Sequence, residues 1–240
     1  MDFKVVIPAH YASTRLPGKV LLKVHGKPII EYVYRNACAS GAQQVLVATD
    51  DPRIVEAVQA FGAEACLTSA EHTSGSDRIA EVIQRNAWPE ETIIVNLQAD
   101  EPMMPAENVA QVAANLDSHP RVDIATLCTG LAGEHEAGDR NIVKVVHDRD
   151  NIATGFSRNV ETFAKSAAQT VYRHLGIYAY RAGFLCRFTQ WPRSRLEKKE
   201  SLEQMRAFEH GSLIHVEMCR SAPGIGVDTQ EDYEALLQVM

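Results

Sequence analysis

The 240-residue sequence has no apolar run of the length needed to cross a bilayer. Met1-Asp2-Phe3-Lys4 leads straight into a strand-like stretch, so no signal peptide is expected. The five cysteines, Cys38, Cys66, Cys128, Cys186 and Cys219, are scattered and form no CxxC pair. They read as reduced, mostly buried thiols of a cytoplasmic protein. The nine histidines show no HxxxH or HxH spacing, which argues against a zinc site. Neither GxGxxG nor a Walker-type GxxxxGK loop is present, and there is no internal repeat or low-complexity segment. Positive charge is short as well. With 24 Lys and Arg against 31 Asp and Glu the net charge is −7, which argues against a general nucleic-acid binder. An anionic ligand must therefore be held by local cations rather than by the overall field.

What is present is an ordinary globular composition, 45% hydrophobic and 23% charged. The length suits one α/β domain, or one domain with a small appendage. Phe3 to Ile7 reads as a buried strand, and Pro8, lacking an N–H, is expected to end its ladder. A helix is expected from Pro28 to about Ser40 and a strand over Gln44 to Thr49, with Asp50 capping the next helix. A short strand follows over Ala63 to Leu67, then a helix from about Asp77 to Asn86. Thr92 to Leu97 is apolar enough for the centre of a sheet, and a helix from Pro105 and a strand over Val122 to Cys128 come next. This alternation predicts a parallel, doubly wound sheet. The second half is less regular. It reads as a polar loop from Gly130 to Asp139, strands over 142–147, 152–157 and 171–180, and a charged helix from Leu196 to His210. A strand from Leu213 to Met218 and a final helix capped by Asp228 or Thr229 complete the chain. No flexible linker separates the halves, so residues 1–240 are expected to form one domain with an inserted or appended arm.

The loop after the first strand carries Ser13, Thr14, Arg15 and Lys19 within seven residues. Hydroxyls, a guanidinium and an ammonium suit a polyphosphate, and Pro17-Gly18 allows a sharp turn against a ligand. The loop leaves the carboxyl end of the first strand, where open α/β sheets bind ligands. Asp100, in Gln98-Ala99-Asp100-Glu101-Pro102, leaves the fourth strand at the same edge. A carboxylate facing polyphosphate makes sense with Mg²⁺ between them, and Asp228 is a possible second ligand, although its sequence also suits a helix cap. Thr73 to Arg78 forms a small-residue loop before a helix, able to receive a base ring and bring Arg78 to the phosphates. Arg158, Arg173, His174, Tyr178, Glu203, Gln204 and Arg206 are polar side chains suited to a carboxylate and several hydroxyls.

These motifs together resemble the 3-deoxy-manno-octulosonate (Kdo) cytidylyltransferase family along the whole chain. The most specific are Tyr11-Ala12-Ser13-Thr14-Arg15-Leu16-Pro17-Gly18-Lys19, Val47-Ala48-Thr49-Asp50, Asp100-Glu101-Pro102, Phe156-Ser157-Arg158, Arg173-His174-Leu175-Gly176-Ile177-Tyr178 and Leu202-Glu203-Gln204. The resemblance implies a Rossmann-like nucleotidyltransferase sheet with an inserted dimerisation arm, over about 141–180, in a homodimer. It implies transfer of CMP from CTP to Kdo with Mg²⁺, for lipopolysaccharide synthesis, with no nucleic-acid or membrane partner. Carried over by motif, Ser13, Arg15 and Lys19 grip the triphosphate, and Ser74 and Arg78 meet the nucleotide. Asp100 and Asp228 hold the metal. Arg158, His174, Tyr178, Glu203 and Gln204 line the sugar pocket, with Gln98 at its edge.

The chain departs from the family pattern at three places. His10 stands where arginine is usual, Ala99 where glycine is usual, and the segment after Arg158 is shortened, with Lys165 its remaining cation. The last departure keeps a related acceptor as an alternative: an amino-substituted Kdo, a sialic-acid-like sugar or a phosphonate. A nucleotide-binding regulator without catalysis is the alternative from another class.

Overall fold

Strand β1 (Phe3–Ala9) has almost no polar face. Val5 and Ile7 enter one hydrophobic core and Val6 the other, so the strand lies inside a two-sided sheet. The computed structural model describes residues 1–163 and 170–240; Lys165 lies outside the described residues. β1 pairs in parallel with β4 (Gln44–Thr49) and β6 (Ile93–Asn96), and β5 (Ala65–Leu67) extends the sheet beyond β4. On the other side β10 (Tyr172–Arg181) runs antiparallel between β6 and β7 (Ile124–Gly130), and β11 (Ile214–Met218) lies parallel to β7. The order is β11-β7-β10-β6-β1-β4-β5. β8 (Lys144–His147) and β9 (Ala153–Ser157) form an antiparallel hairpin attached to the start of β10. β2 (Lys23–Val24) and β3 (Lys27–Pro28) make a small separate ribbon.

Helices α1 (Ile29–Ala39), α2 (Pro52–Ala60), α4 (Ala106–Ser118) and α9 (Gln230–Val239) cover one face, burying Val33, Val58, Val112 and Leu236. Helices α3 (Gly75–Arg85), α6 (Ala182–Phe188) and α8 (Gln204–Glu209) cover the other with Ile79, Phe188 and Met205. Two short helices, α5 (Glu134–Gly138) and α7 (Arg195–Glu200), complete the described α-helices, and 3₁₀ turns lie at Lys19–Leu21 and Val160–Phe163. None of the described helices is long and apolar enough to cross a membrane.

Several expectations needed correction. Pro8 does not end the ladder, since β1 continues through Pro8 and Ala9 against Ala48 and Thr49 of β4. Val6 accepts from Leu97 on the β6 side, so Pro8, of the same parity, faces that side, where pairing has already stopped. The cap of α2 is Asp51, accepting from the Arg53 N–H at 2.9 Å, and not Asp50. The polar stretch after β7 contains α5, whose Glu136 accepts from Arg173 at 2.7 Å. The helix expected from 196 to 210 is broken: Ser201 turns left-handed (φ 53°), Leu202 drops into the core, and α8 starts afresh at Gln204. The sheet is parallel except at β10 and the β8–β9 hairpin. All five cysteines are free, but only Cys128 is buried, and burial pushes its thiol up to about 12.

The break between α7 and α8 is closed by a buried ion pair. Arg206 Nε and Nη2 donate to Glu197 at 2.9 and 2.8 Å, and both side chains are almost fully buried. This commits Arg206 to the fold rather than to a ligand. Removing one partner strands a buried charge, at a cost of about 3–5 kcal/mol. Arg206→Ala is expected to lose about 3 kcal/mol in urea unfolding, with much of it recovered by pairing Arg206→Met with Glu197→Leu. A loss below about 1 kcal/mol in the single variant would mean the pair does not hold α7 to α8.

Candidate active site

The loop after β1 turns at Gly18, which has φ +70° and lies so close to Tyr11 that a Cβ would come within 2.9 Å of its ring. The Gly18 N–H donates to the Tyr11 carbonyl at 2.8 Å, and a single 3₁₀ turn, Lys19–Leu21, starts there. Lys19 is thereby driven inward to 5% exposure. Its Nζ donates to Asp100 Oδ2 at 2.5 Å and to Asp228 Oδ1 at 2.7 Å. Asp100 sits just past the end of β6. Asp228 is brought beside it because the Val227 N–H donates to the Asp100 carbonyl at 2.8 Å. Gly226 permits this approach, since a Cβ there would meet Glu101 Oε1 at 2.9 Å. The cap of α9 is Thr229, which accepts from the Asp232 N–H, so the Asp228 carboxylate is left for the site. Arg15 Nη2 reaches Asp228 Oδ2 at 2.9 Å.

The charge states follow from this arrangement. Burial pulls the Lys19 ammonium down, but Asp100 and Asp228 outweigh it, and the net shift is upward. Lys19 therefore stays charged. Burial, reinforced by the negative charge of Asp100, raises the neighbouring Glu101 carboxyl to about 8, so it holds its proton at neutral pH.

Two clefts meet at this junction, and both Gln98 and Asp100 line each of them. The first, of about 340 Å³, lies at the carboxyl ends of β1, β4 and β6 and is walled by Ala9, His10, Asp50, His72, Ser74 and Arg78. It occupies the point where the sheet order reverses, the usual ligand crevice of such sheets. Arg78 is buried there, with Nη1 donating to Thr68 Oγ1 at 2.5 Å and Nη2 3.3 Å from Asp50. Ser74 caps α3, accepting from the Asp77 N–H at 3.2 Å.

The second cleft, of about 830 Å³, runs from Arg15, Asp100, Glu101 and Asp228 past Arg173, His174 and Tyr178 to Gln204. Asp139 and Asn141 form part of its rim. His174 is fully buried, which lowers its imidazole to about 3 and keeps it neutral. The Thr126 hydroxyl donates to the Ile177 carbonyl at 2.7 Å, so at 3.0 Å His174 Nε2–H donates to Thr126 Oγ1 and Nδ1 is left as an acceptor. Burial, with the Glu203 charge next, keeps the Tyr178 hydroxyl protonated. Gln204 Nε2 is buried with no hydrogen-bond partner among the described residues.

The structure thus brings together Arg15, Lys19, Gln98, Asp100 and Asp228, sets Ser74 and Arg78 on the first cleft, and sets His174, Tyr178 and Gln204 on the second. It does not place the others there. Ser13 lines neither cleft; its N–H donates to the Tyr11 carbonyl. Arg158 also lines neither, because its guanidinium is spent on the carbonyls of Arg140, Asn141 and Glu200 at 3.1–3.2 Å. Glu203 faces a small cavity behind the second cleft and accepts from Ser76 at 2.5 Å. Sequence reasoning missed Glu101 and the Asp50–Arg78 pair; the acidic doublet Asp100-Glu101 was the available signal for the first.

Asp100 and Asp228 hold one small cation between them, the Lys19 ammonium. Among the described residues no group of three or more His, Cys, Asp or Glu forms a metal cage. A pair of hard carboxylates still fits Mg²⁺, which takes one or two carboxylates and completes its shell with phosphate and water oxygens.

The chain is similar to known cytidylyltransferases along its length. A cytidylyltransferase family profile matches residues 4–214. The chain is 46% identical over 250 residues to the 3-deoxy-manno-octulosonate cytidylyltransferase of Glaesserella parasuis, covering 100% of this chain and 98% of that one. It is 47% identical over 248 residues to the enzyme of that name from Yersinia enterocolitica, covering 100% and 99%. A solved structure of CMP:2-keto-3-deoxy-manno-octonic acid synthetase complexed with CTP superposes with a TM-score of 0.91 at 40% identity, covering 100% of this chain and 98% of that one.

The neutral His174 yields a test. Its folded pKa lies below that of an unfolded histidine, so the unfolded chain binds the extra proton. Stability is then complete above about pH 6.5 and declines as pH falls toward about 3. At pH 5.5 the expected cost is about 1.4 kcal/mol from this group. Urea midpoints for His174→Gln should fall less steeply between pH 7 and pH 5 than for the wild type. Parallel curves would show that His174 is not held neutral.

Proposed function

The chain belongs to the 3-deoxy-manno-octulosonate cytidylyltransferase family, and from that premise we propose that it couples CTP to Kdo, giving CMP-Kdo and pyrophosphate for lipopolysaccharide synthesis. The observation that carries this reading is the junction itself. Lys19, Asp100 and Asp228 converge where the strand-end cleft, sized for a nucleotide, opens into a larger cleft lined by hydroxyl-binding groups.

The reaction is an in-line displacement at the α-phosphorus. The acceptor hydroxyl oxygen forms a new P–O bond as its proton passes to solvent, the bond to the α–β bridging oxygen breaks, and pyrophosphate departs. Lys19 and Arg15 supply positive charge for the phosphates, where charge builds on the leaving group. Arg78, fixed by Thr68 and Asp50, borders the nucleotide cleft as a third cation. Asp100 and Asp228 are the residues that would hold Mg²⁺, which when bound supplies charge neutralisation and a lower pKa for the attacking hydroxyl. Gln98, at the edge of both clefts, faces nucleotide and acceptor alike.

On the acceptor side the cation is reassigned from Arg158 to Arg173, which lines the cleft and is half exposed. A guanidinium matches a carboxylate bidentately. The orphan Nε2 of Gln204 donates to a sugar hydroxyl, and His174 Nδ1 accepts from another. The five free thiols and the use of CTP suit the cytoplasm. Within the expected 141–180 arm, β10 belongs to the main sheet, so the β8–β9 hairpin is the dimerisation arm of a homodimer; a monomeric mass by light scattering at micromolar concentration would remove that assignment.

Three measurements check the proposal. Wild-type protein with CTP and Mg²⁺ should release pyrophosphate with Kdo well above neutral sugars, and preference for another acid in the same panel would move the acceptor. Asp100→Asn should fold normally and lose turnover by roughly 10²–10³-fold, the scale of losing one electrostatic group at a reacting phosphate; unchanged pyrophosphate release would end the metal assignment. Arg173→Ala should raise the Kdo KM by about 10-fold or more, the worth of one charge-assisted hydrogen bond, and leave the CTP KM nearly unchanged. Equal weakening of both substrates would return the carboxylate site to other residues.

A further inference from the structure

Arg53 lies outside both clefts, on the first turn of α2, and no step above uses it. Its guanidinium carbon sits 3.4 Å from the centroid of the Tyr11 ring. It is held in that place by Asp51, which accepts from Arg53 Nε at 2.9 Å and from Nη2 at 2.5 Å, a two-point fork. Asp51 is itself fixed as the cap of α2 through the Arg53 N–H. Other atoms of the Tyr11 ring press on Gly18, where Cε2, Cζ and the hydroxyl oxygen lie within 3.0 Å of the position a Cβ would take. The Tyr11 carbonyl accepts from both the Ser13 and the Gly18 N–H groups, closing the loop at its neck. Gly18 in turn heads the single turn that carries Lys19.

We propose that Arg53 is a positioning residue for CTP: through Asp51 it clamps the Tyr11 ring onto Gly18 and so fixes the loop that presents Lys19 to the triphosphate. The chain of contacts runs from the α2 cap to Arg53, Tyr11, Gly18 and finally Lys19. Physical reasons favour this over a decorative surface pair. The nine-residue loop from His10 to Gly18 is anchored to the main core by two large apolar side chains, Tyr11 and Leu16, and Tyr11 is the one that meets Gly18. An arginine stacked on the ring limits its outward swing, and the fork to Asp51 limits the arginine. Loosening the clamp leaves every phosphate-binding group present but spreads the loop over more conformations, which weakens nucleotide binding and leaves acceptor binding alone.

The inference rests on the proposed CTP reading, and the experiment separates the two. CTP affinity is measured by calorimetry on wild type, Arg53→Ala, Tyr11→Leu and the double variant, alongside steady-state kinetics and thermal unfolding. Failure of the wild type to bind CTP would remove the functional reading before the clamp is tested. With binding established, Arg53→Ala is expected to weaken CTP about 5-fold, the ratio set by losing one cation–ring contact with its fork. The Kdo KM, kcat and the melting temperature should move little. Arg53→Lys, which keeps a cation over the ring without the fork, should recover part of the loss. The double variant should be no worse than the weaker single one, because the two residues act in series. Three results would overturn the clamp. They are multiplying effects in the double variant, an Arg53→Ala loss that Tyr11→Leu does not share, which would mean Arg53 meets phosphate directly, and a fall in melting temperature that tracks the change in affinity.

Discussion

Two carboxylates, Asp100 and Asp228, stand close enough to share one ammonium, and the rest of the molecule is arranged around that proximity. Like charges at such spacing repel and drive each other toward protonation unless a cation lies between them. Lys19 fills that place from 81 residues before Asp100 and 209 before Asp228. None of the three is brought there by local sequence. Lys19 comes from the turn at the end of β1, Asp100 from the end of β6, and Asp228 from a strand-like tether to the Asp100 carbonyl. The parallel pairing of β1 with β6 sets the first two at one sheet edge, and the bond from Val227 adds the third. The fold has thereby buried the Lys19 ammonium, and pairing with two partly exposed carboxylates makes that burial tolerable.

The same junction divides the labour of the two clefts. The strand-end cleft is edged by cations and by the capped start of α3, a setting for phosphates and a base. The β10 cleft adds neutral polar groups to the charged ones at its mouth: a histidine held uncharged by burial, a tyrosine held protonated, and a glutamine with an unused donor. Neutral donors and acceptors discriminate hydroxyl patterns without attracting water-bound ions, and an unpaired buried donor penalises any ligand that lacks the matching oxygen. Asp100 and Gln98 belong to both, and under the proposed reaction a nucleotide phosphate and an acceptor hydroxyl would meet at that carboxylate.

Much of this was legible in the sequence, and the failures have physical causes. The Gln44–Thr49 strand and the helix from Pro28 were read correctly because burial and terminal residues agree there. Asp100 was legible because it closely follows an apolar strand, and Lys19 because its loop leaves the carboxyl end of the first strand, where open sheets bind ligands; Asp228 was legible as a second ligand through the family resemblance. Asp228 competed with Thr229 for the helix cap, and the Asp232 N–H bond to the Thr229 hydroxyl resolved it. Arg158 meets backbone carbonyls here, and sequence pattern does not distinguish that use of a guanidinium from a ligand carboxylate. The break at Ser201 was hidden because the flanking residues are good helix formers; the burial of Leu202 and the Arg206–Glu197 pair overrode that propensity. The antiparallel β10 was invisible because a strand's direction is set by its neighbours and not by its own residues.

The account stands on the claim that Asp100 and Asp228 form a cation site which Lys19 fills in the nucleotide-free protein. The most direct test is Mn²⁺ binding, read by electron paramagnetic resonance without nucleotide, in wild type, Lys19→Met and Lys19→Met with Asp100→Asn. The account predicts that Lys19→Met binds Mn²⁺ more tightly than the wild type, because the competing ammonium is gone, and that adding Asp100→Asn abolishes the gain. Equal binding in wild type and Lys19→Met, or a gain that survives the loss of Asp100, would contradict it.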